Sequence, residues 1–334
     1  MAAAIGNLIS RTDYNTIQSD INSVLGTGDG AQTGYGRTLQ SSQINSAKVI
    51  ESEDMLALYN DLVKARTHQK GSLQWTGDGL NSPSDAELIG YDAADIGTDG
   101  TSATATNDTT EGFDDFIDAT ADIVQDHDLA ANSQLSLGVP VLSTKTASWG
   151  GNDQSFPGTS INHTVVVTWT NADERRYFFN SGGTIIFDSI VDGSWTVGTK
   201  NEVWQTMMSN LDIVSFGKNS TTSSGTSPGN PASNIGNYYA SWSSTSSSNP
   251  VQIFTKNGTG VYSDNSYSIY AWETASNSLR FNIVFQDGDI GTATTAPDTP
   301  VDEFVTADIT SSVKTKYAST LGIPAPTVTN VSLL

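Results

Sequence analysis

Short apolar runs separated by turn residues fill the chain from about residue 152 to residue 313, and they restrict its fold more than any other feature. "HTVVVTWT" (163–170), "TIIFD" (184–188), "VQIFTK" (251–256), "SYSIYAWET" (266–274) and "LRFNIVFQD" (279–287) are rich in β-branched and aromatic residues. "NSGG", "NGTG" and "SNS" fall between them as turns. "YYASWSS" (238–244) reads as a further strand, and "ADITSSVKTKYA" (307–318) alternates apolar with polar residues. This pattern predicts a mostly antiparallel, sandwich-like β-domain.

Within it stands "NADERRYFFNSGGTIIF" (171–187), where two of the chain's 15 basic residues are adjacent. Read by local pattern, 171–174 is a turn, 175–179 a strand, "NSGG" a tight turn and 184–188 a third strand, giving a β-meander. On such a strand Arg175, Tyr177 and Phe179 face one way and Arg176 and Phe178 the other. Two arginines on opposite faces cannot converge on one substrate oxygen, so the pair is expected to be architectural. An arginine held against protein needs a carboxylate, and Asp173 and Glu174 are adjacent.

The N-terminal part carries a different period. Tyr14, Ile17, Ile21 and Leu25 recur at three- and four-residue spacing, with Thr12 or Asp13 placed to cap the helix. A second helix after Ser52 puts Met55, Leu58 or Tyr59, Leu62 and Ala65 or Arg66 on one face, and Lys64, Arg66 and His68 lie in its last turns, where positive charge suits the helix dipole. Between them, "GTGDGAQTGYG" (26–36) lacks the lysine and hydroxyl residue of a phosphate-binding loop and follows a helix rather than a strand, so it reads as a connection.

From Lys70 to Lys145 no basic residue intervenes. "FDDFIDATADIVQDHDL" (113–129) predicts a helix with Phe113, Ile117 and Val124 on one face and Phe116 and Ile123 beside them. Asp114, Asp118, Asp122 and Asp126 form an i, i+4 stripe, read as a solvated acidic face stabilised by screening. Neither this stripe nor "GDGL" (77–80) has the alternating ligands of a calcium loop, and "DGD" (287–289) reads as a turn. "NEVWQTMMSNLDIV" (201–214) predicts one core-packing helix inside the β-rich part. The Ser/Gly/Pro-rich 219–237 is a long loop, and the prolines after Gly322 read as an extended arm. The expected class is α+β. It comprises a helical attachment region (1–75), an acidic region with one helix (76–150), a β-rich domain with one helix (151–316) and a C-terminal arm (317–334).

A net charge of −21 argues against nucleic acid as a partner, whose phosphates it would repel. Without cysteine there is neither a disulfide nor a thiolate site. No basic n-region followed by an apolar stretch opens the sequence, so export by a Sec signal is not expected, nor is membrane insertion. His68, His127 and His163 lie far apart and no HExxH or GxSxG motif occurs, so no catalytic, cofactor or metal residue is nominated.

"ADERRYFFNSGGTIIF" resembles a segment of virion structural proteins of tailed bacteriophages, especially contractile-tailed phages of marine cyanobacteria and other marine bacteria. Residues 14–36, "SSQI", "DLVKARTHQKG" (61–71), "LRFNIVFQDGD" and "VTADITSSVKTKYAS" are similar to the same group, and together the strings cover about half the chain. The resemblance implies a non-enzymatic particle subunit of the tail, neck, baseplate or fibre attachment, assembled in the host cytoplasm. It would act through contacts with other virion proteins and copies of itself. Structural or interface candidates are Trp169, Arg175, Arg176, Tyr177, Phe178 and Phe179, with Tyr14, Ile17, Ile21, Met55, Leu58 and Leu62 in the attachment region. The alternative is a host-receptor or glycan-binding module using the aromatics of "NYYASW" and "YAWE". A third reading is a capsid decoration protein or a virion-bound glycan-degrading enzyme.

Overall fold

A computed structural model describes residues 9–46, 48–75, 80, 82, 113–150, 160–227, 229–231, 235–288 and 304–334. The protein is α+β, with helices at its N-terminal end and two antiparallel sheets beyond them. The chain divides into two compact units. The first takes 1–136, 176–182 and 318–323, and the second 137–175, 183–317 and 324–334. No described helix is long and apolar enough to cross a membrane.

Unit 1 is built on α1 (Arg11–Val24), α2 (Ser52–Lys70) and α3 (Phe113–Gln125). Ser10, rather than Thr12 or Asp13, caps α1. Its hydroxyl accepts from the Asp13 amide while the Asp13 carboxylate accepts from the Ser10 amide, a capping box. The loop after α1 turns back so that the amides of Gly34, Tyr35, Gly36 and Arg37 reach the carbonyls of Ser23, Val24, Gly26 and Leu25. The carbonyls of Ser23, Val24 and Leu25 are acceptors that the helix end leaves open. Gly34 and Gly36 adopt φ of 78° and 70° to make this return. Tyr14, Ile17, Ile21, Leu25, Met55, Leu58 and Leu62 are all buried together with Phe113, Phe116 and Ile123. The apolar stripes of α1 and α2 are thus covered inside the unit, by each other and by α3.

Three expectations for α3 change. Phe113, Phe116 and Ile123 are buried, whereas Ile117 and Val124 lie on the more exposed side. The aspartate stripe is not solvated throughout: Asp122 is buried and, with Asp126, faces the basic end of α2. The helix also belongs to the same unit as α1 and α2, not to a separate acidic region.

Unit 2 contains both sheets. The first joins β1 (Ser136–Leu137), whose leading residue falls in unit 1, β2 (Val141–Lys145), β4 (Thr184–Val191), β5 (Val214–Phe216), β6 (Thr221–Ser223) and β11 (Ile309–Tyr317). Its order is β1-β11-β4-β5-β6, with β2 also on β11. The second is formed by β3 (Ser160–Thr168), β7 (Asn230–Pro231), β8 (Val251–Asn257), β9 (Ser266–Ala275), β10 (Ser278–Gln286) and β12 (Thr327–Ser332), in the order β12-β3-β10-β9-β8-β7. Strict alternation along β10 buries Leu279, Phe281, Ile283 and Phe285. Phe281 meets Phe187 of β4 at 5.2 Å and Phe216 of β5 at 5.3 Å between ring centroids, so the inner faces share one core. A helix, α5 (Lys200–Leu211), adds Trp204 against Phe285.

The 175–179 segment is not a strand but part of α4 (Ala172–Asn180), which gives the β-rich part a second helix. "NADE" is a start signal: the Asn171 side chain accepts from the Glu174 amide, and Asp173 and Glu174 occupy the first turn, where negative charge is favoured. "YYASWSS" is likewise not a strand but turns and a 3-10 segment, Trp242–Ser244. The C-terminal arm is extended yet paired, its residues 327–332 forming the edge strand on β3. The 77–79 part of "GDGL" and residue 289 of "DGD" lie outside the described residues.

Candidate functional site

Adjacent residues on a helix diverge by about 100°, and the arginine pair of α4 separates accordingly. Arg175 belongs to unit 2 and Arg176 to unit 1. Arg175 is buried; its Nε donates to Asn237 Oδ1 at 2.8 Å and its Nη1 to Glu273 Oε1 at 2.8 Å and the Ser276 carbonyl at 3.2 Å. The carboxylate it meets is therefore Glu273 of β9, not Asp173 or Glu174. Burial weakens its hold on its proton, and Glu273 opposes that shift.

Arg176 enters the glycine-rich loop. Its Nη1 donates to the carbonyls of Thr27, Gly30 and Thr33 at 3.0, 2.9 and 3.0 Å, and its Nη2 to the Tyr177 hydroxyl at 3.0 Å. Asn180 adds donations to the Thr33 and Gly34 carbonyls at 2.8 and 3.1 Å. A Cβ on Gly36 would lie 2.2 Å from the Tyr177 ring, so only glycine fits there. The loop therefore turns carbonyl oxygens toward a cation. A phosphate cradle presents amides instead. Phe178 and Phe179 are buried in the same unit, ring edge to face at 4.9 Å.

A second ionic cluster in unit 1 escaped the sequence reading. Arg66 donates to Asp122 at 3.1 Å and to Asp126 at 2.5 Å, and Lys70 reaches Asp126 at 2.8 Å. Burial pushes Asp126 up, but the hydrogen bonds from Lys70 and Arg66 prevail and hold it below the usual carboxylate range. Burial raises Asp118, and the neighbouring Asp122 raises it further. The signal was present as a basic α2 end and an acidic α3 stripe, but the 56 residues separating Arg66 from Asp122 hid their pairing.

The histidines do not converge. Buried His68 shares Nε2 with the Ser181 carbonyl at 3.0 Å, and its burial lowers its pKa to about 4. His163 lies between the two sheets, Nδ1 2.9 Å from Ser311 Oγ and Nε2 2.8 Å from Asn330 Oδ1. Exposed His127 bonds the Val124 carbonyl. Asp287 is fully buried on Lys200 at 2.9 and 3.0 Å. Among the described residues no group of three or more His, Asp or Glu side chains could hold a metal.

Two of the aromatics proposed for sugar stacking, Trp242 and Trp272, are buried, which removes their ring faces from solvent. Trp169, also buried, follows β3 and exchanges backbone and side-chain bonds with Asn277. It forms part of a cleft of about 270 Å³ in unit 2, bounded by Thr168, Glu174 and residues 324–327.

Comparison with family models, with curated proteins and with solved structures finds no match.

Proposed function

We propose that the chain is a non-enzymatic structural subunit of a bacteriophage particle, belonging to its tail, neck or baseplate and acting through contacts with other virion proteins. The observation that supports this reading is the Arg176 clamp. Two strings that resemble phage virion proteins, 14–36 and 172–187, meet there through three guanidinium–carbonyl bonds. The shared residues are thus spent on holding a frame rather than on presenting reactive groups to solvent. Arg175, Arg66 and Lys200 are committed in the same way to Glu273, to Asp122 and Asp126, and to Asp287.

The test is quantitative mass spectrometry of density-gradient-purified particles of the phage that encodes this chain, followed by a reconstruction of the particle. Recovery at stoichiometric copy number in tail, neck or baseplate is the expected outcome. Absence from purified particles overturns the reading.

A further inference from the structure

We propose that the cleft of unit 2 beside Trp169 binds an organic cation, an ammonium or guanidinium group on an aliphatic stem. Its charge determinant is Glu174. Among the described residues the Glu174 carboxylate receives no donor, and its Oε2 is shut off from solvent without a hydrogen bond. Among the described residues the buried acids have each found a cation or an amide: Asp122 has Arg66, Asp287 has Lys200, and Asp61 takes the Gln40 and Ser41 amides at 3.0 and 2.8 Å. Native proteins rarely leave such an atom unmatched, so a half-buried carboxylate with one oxygen closed off and unpartnered in a cleft wall favours a partner outside the chain.

The rest of the wall selects the kind of partner. Pro324 and Pro326 supply apolar surface suited to methylenes, Trp169 lines the same cleft, and Thr168 and Thr327 add oxygen acceptors to its wall. Lysine-like and arginine-like groups match this combination of one negative charge and an apolar flank. The chain's net charge of −21 draws cations toward it from a distance. The volume of about 270 Å³ suits one such side chain rather than a folded peptide. This inference does not depend on the virion reading.

Titration of the full chain, followed through the Trp169 indole resonance assigned with a Trp169→Phe sample, tests it. Butylamine and Nα-acetyl-lysine N-methylamide should shift that resonance saturably, whereas 1-butanol and sodium chloride at equal ionic strength should not. Glu174→Gln, checked for an unchanged melting curve, should weaken binding at least about tenfold. Glu174→Asp, which keeps the charge but withdraws it, should fall between. Tighter binding of putrescine than of the lysine derivative identifies a free diamine as the source of the cation, and the reverse identifies a partner's side chain. Equal response to sodium chloride, response only to calcium or to methyl glycosides, or unchanged affinity in Glu174→Gln overturns the proposal.

Discussion

Arg175 and Arg176 differ in what their loss leaves behind. Arg175→Ala strands a Glu273 carboxylate that is only 20% exposed together with Asn237, and breaking such a pair costs about 3–5 kcal/mol. Arg176→Ala leaves three loop carbonyls that water can partly satisfy, so about 1–2 kcal/mol is expected. Denaturant melts should therefore rank Arg175→Ala well below Arg176→Ala, and limited proteolysis should show cleavage within 26–36 only for the latter. His68 sets a pH dependence. Its folded pKa of about 4 lies below the ordinary 6.5 of an unfolded histidine, so the unfolded chain binds the extra proton. Stability is unaffected above pH 6.5 and falls as pH drops toward 4, by about 3 kcal/mol at most. Melts of the parent and of His68→Gln between pH 7 and 4.5 check this: the variant should lose the part of the slope that His68 contributes.

At the scale of elements, legibility followed the range of the interactions. β3, β4, β8, β9, β10 and β11 were readable because alternation is a local signal and each strand buries one face. At α4 the local pattern misleads, because three consecutive aromatics favour a strand by propensity, while Asn171 with Asp173 and Glu174 specify a helix start that resembles a turn in sequence. In α3, apolar residues lie on more than one face, and packing on α1 and α2 together with the Arg66 pairs goes with burial of Phe113, Phe116 and Ile123, leaving Ile117 and Val124 38% and 39% exposed. No periodicity within 113–129 contains that information. Arg66→Ala should consequently destabilise unit 1 by about 3–5 kcal/mol. It also leaves Asp118, Asp122 and Asp126 with less compensation, so sodium chloride should recover part of the loss through screening. A variant whose melting midpoint is unchanged at low salt would show that the pairing contributes nothing to the fold.

For the whole molecule, unit 1 is discontinuous, drawing 176–182 and 318–323 to an N-terminal helical body. Such long-range recruitment leaves no trace in local pattern, which is why an attachment region ending at residue 75 was expected. Cutting there removes α1 and α2 but leaves α3, whose buried Phe113, Phe116 and Ile123 would lose their cover and whose Asp122 would lose Arg66. Every segment of unit 2 remains in that truncated chain. Hydrogen exchange should then find α3 amides unprotected and the β3, β9 and β10 amides protected, and a protected α3 would refute the account of its packing. The same burial changes how particle attachment must be tested, because Tyr14, Ile17, Ile21, Met55, Leu58 and Leu62 are at most 3% exposed and cannot meet a partner without opening the unit. Val49 and Leu73, 77% and 48% exposed, can be changed to serine without touching that core. If the N-terminal region docks to the particle, this pair of changes should reduce incorporation in a complementation assay while the melting curve stays put. Unchanged incorporation would leave these two exposed side chains out of the docking surface.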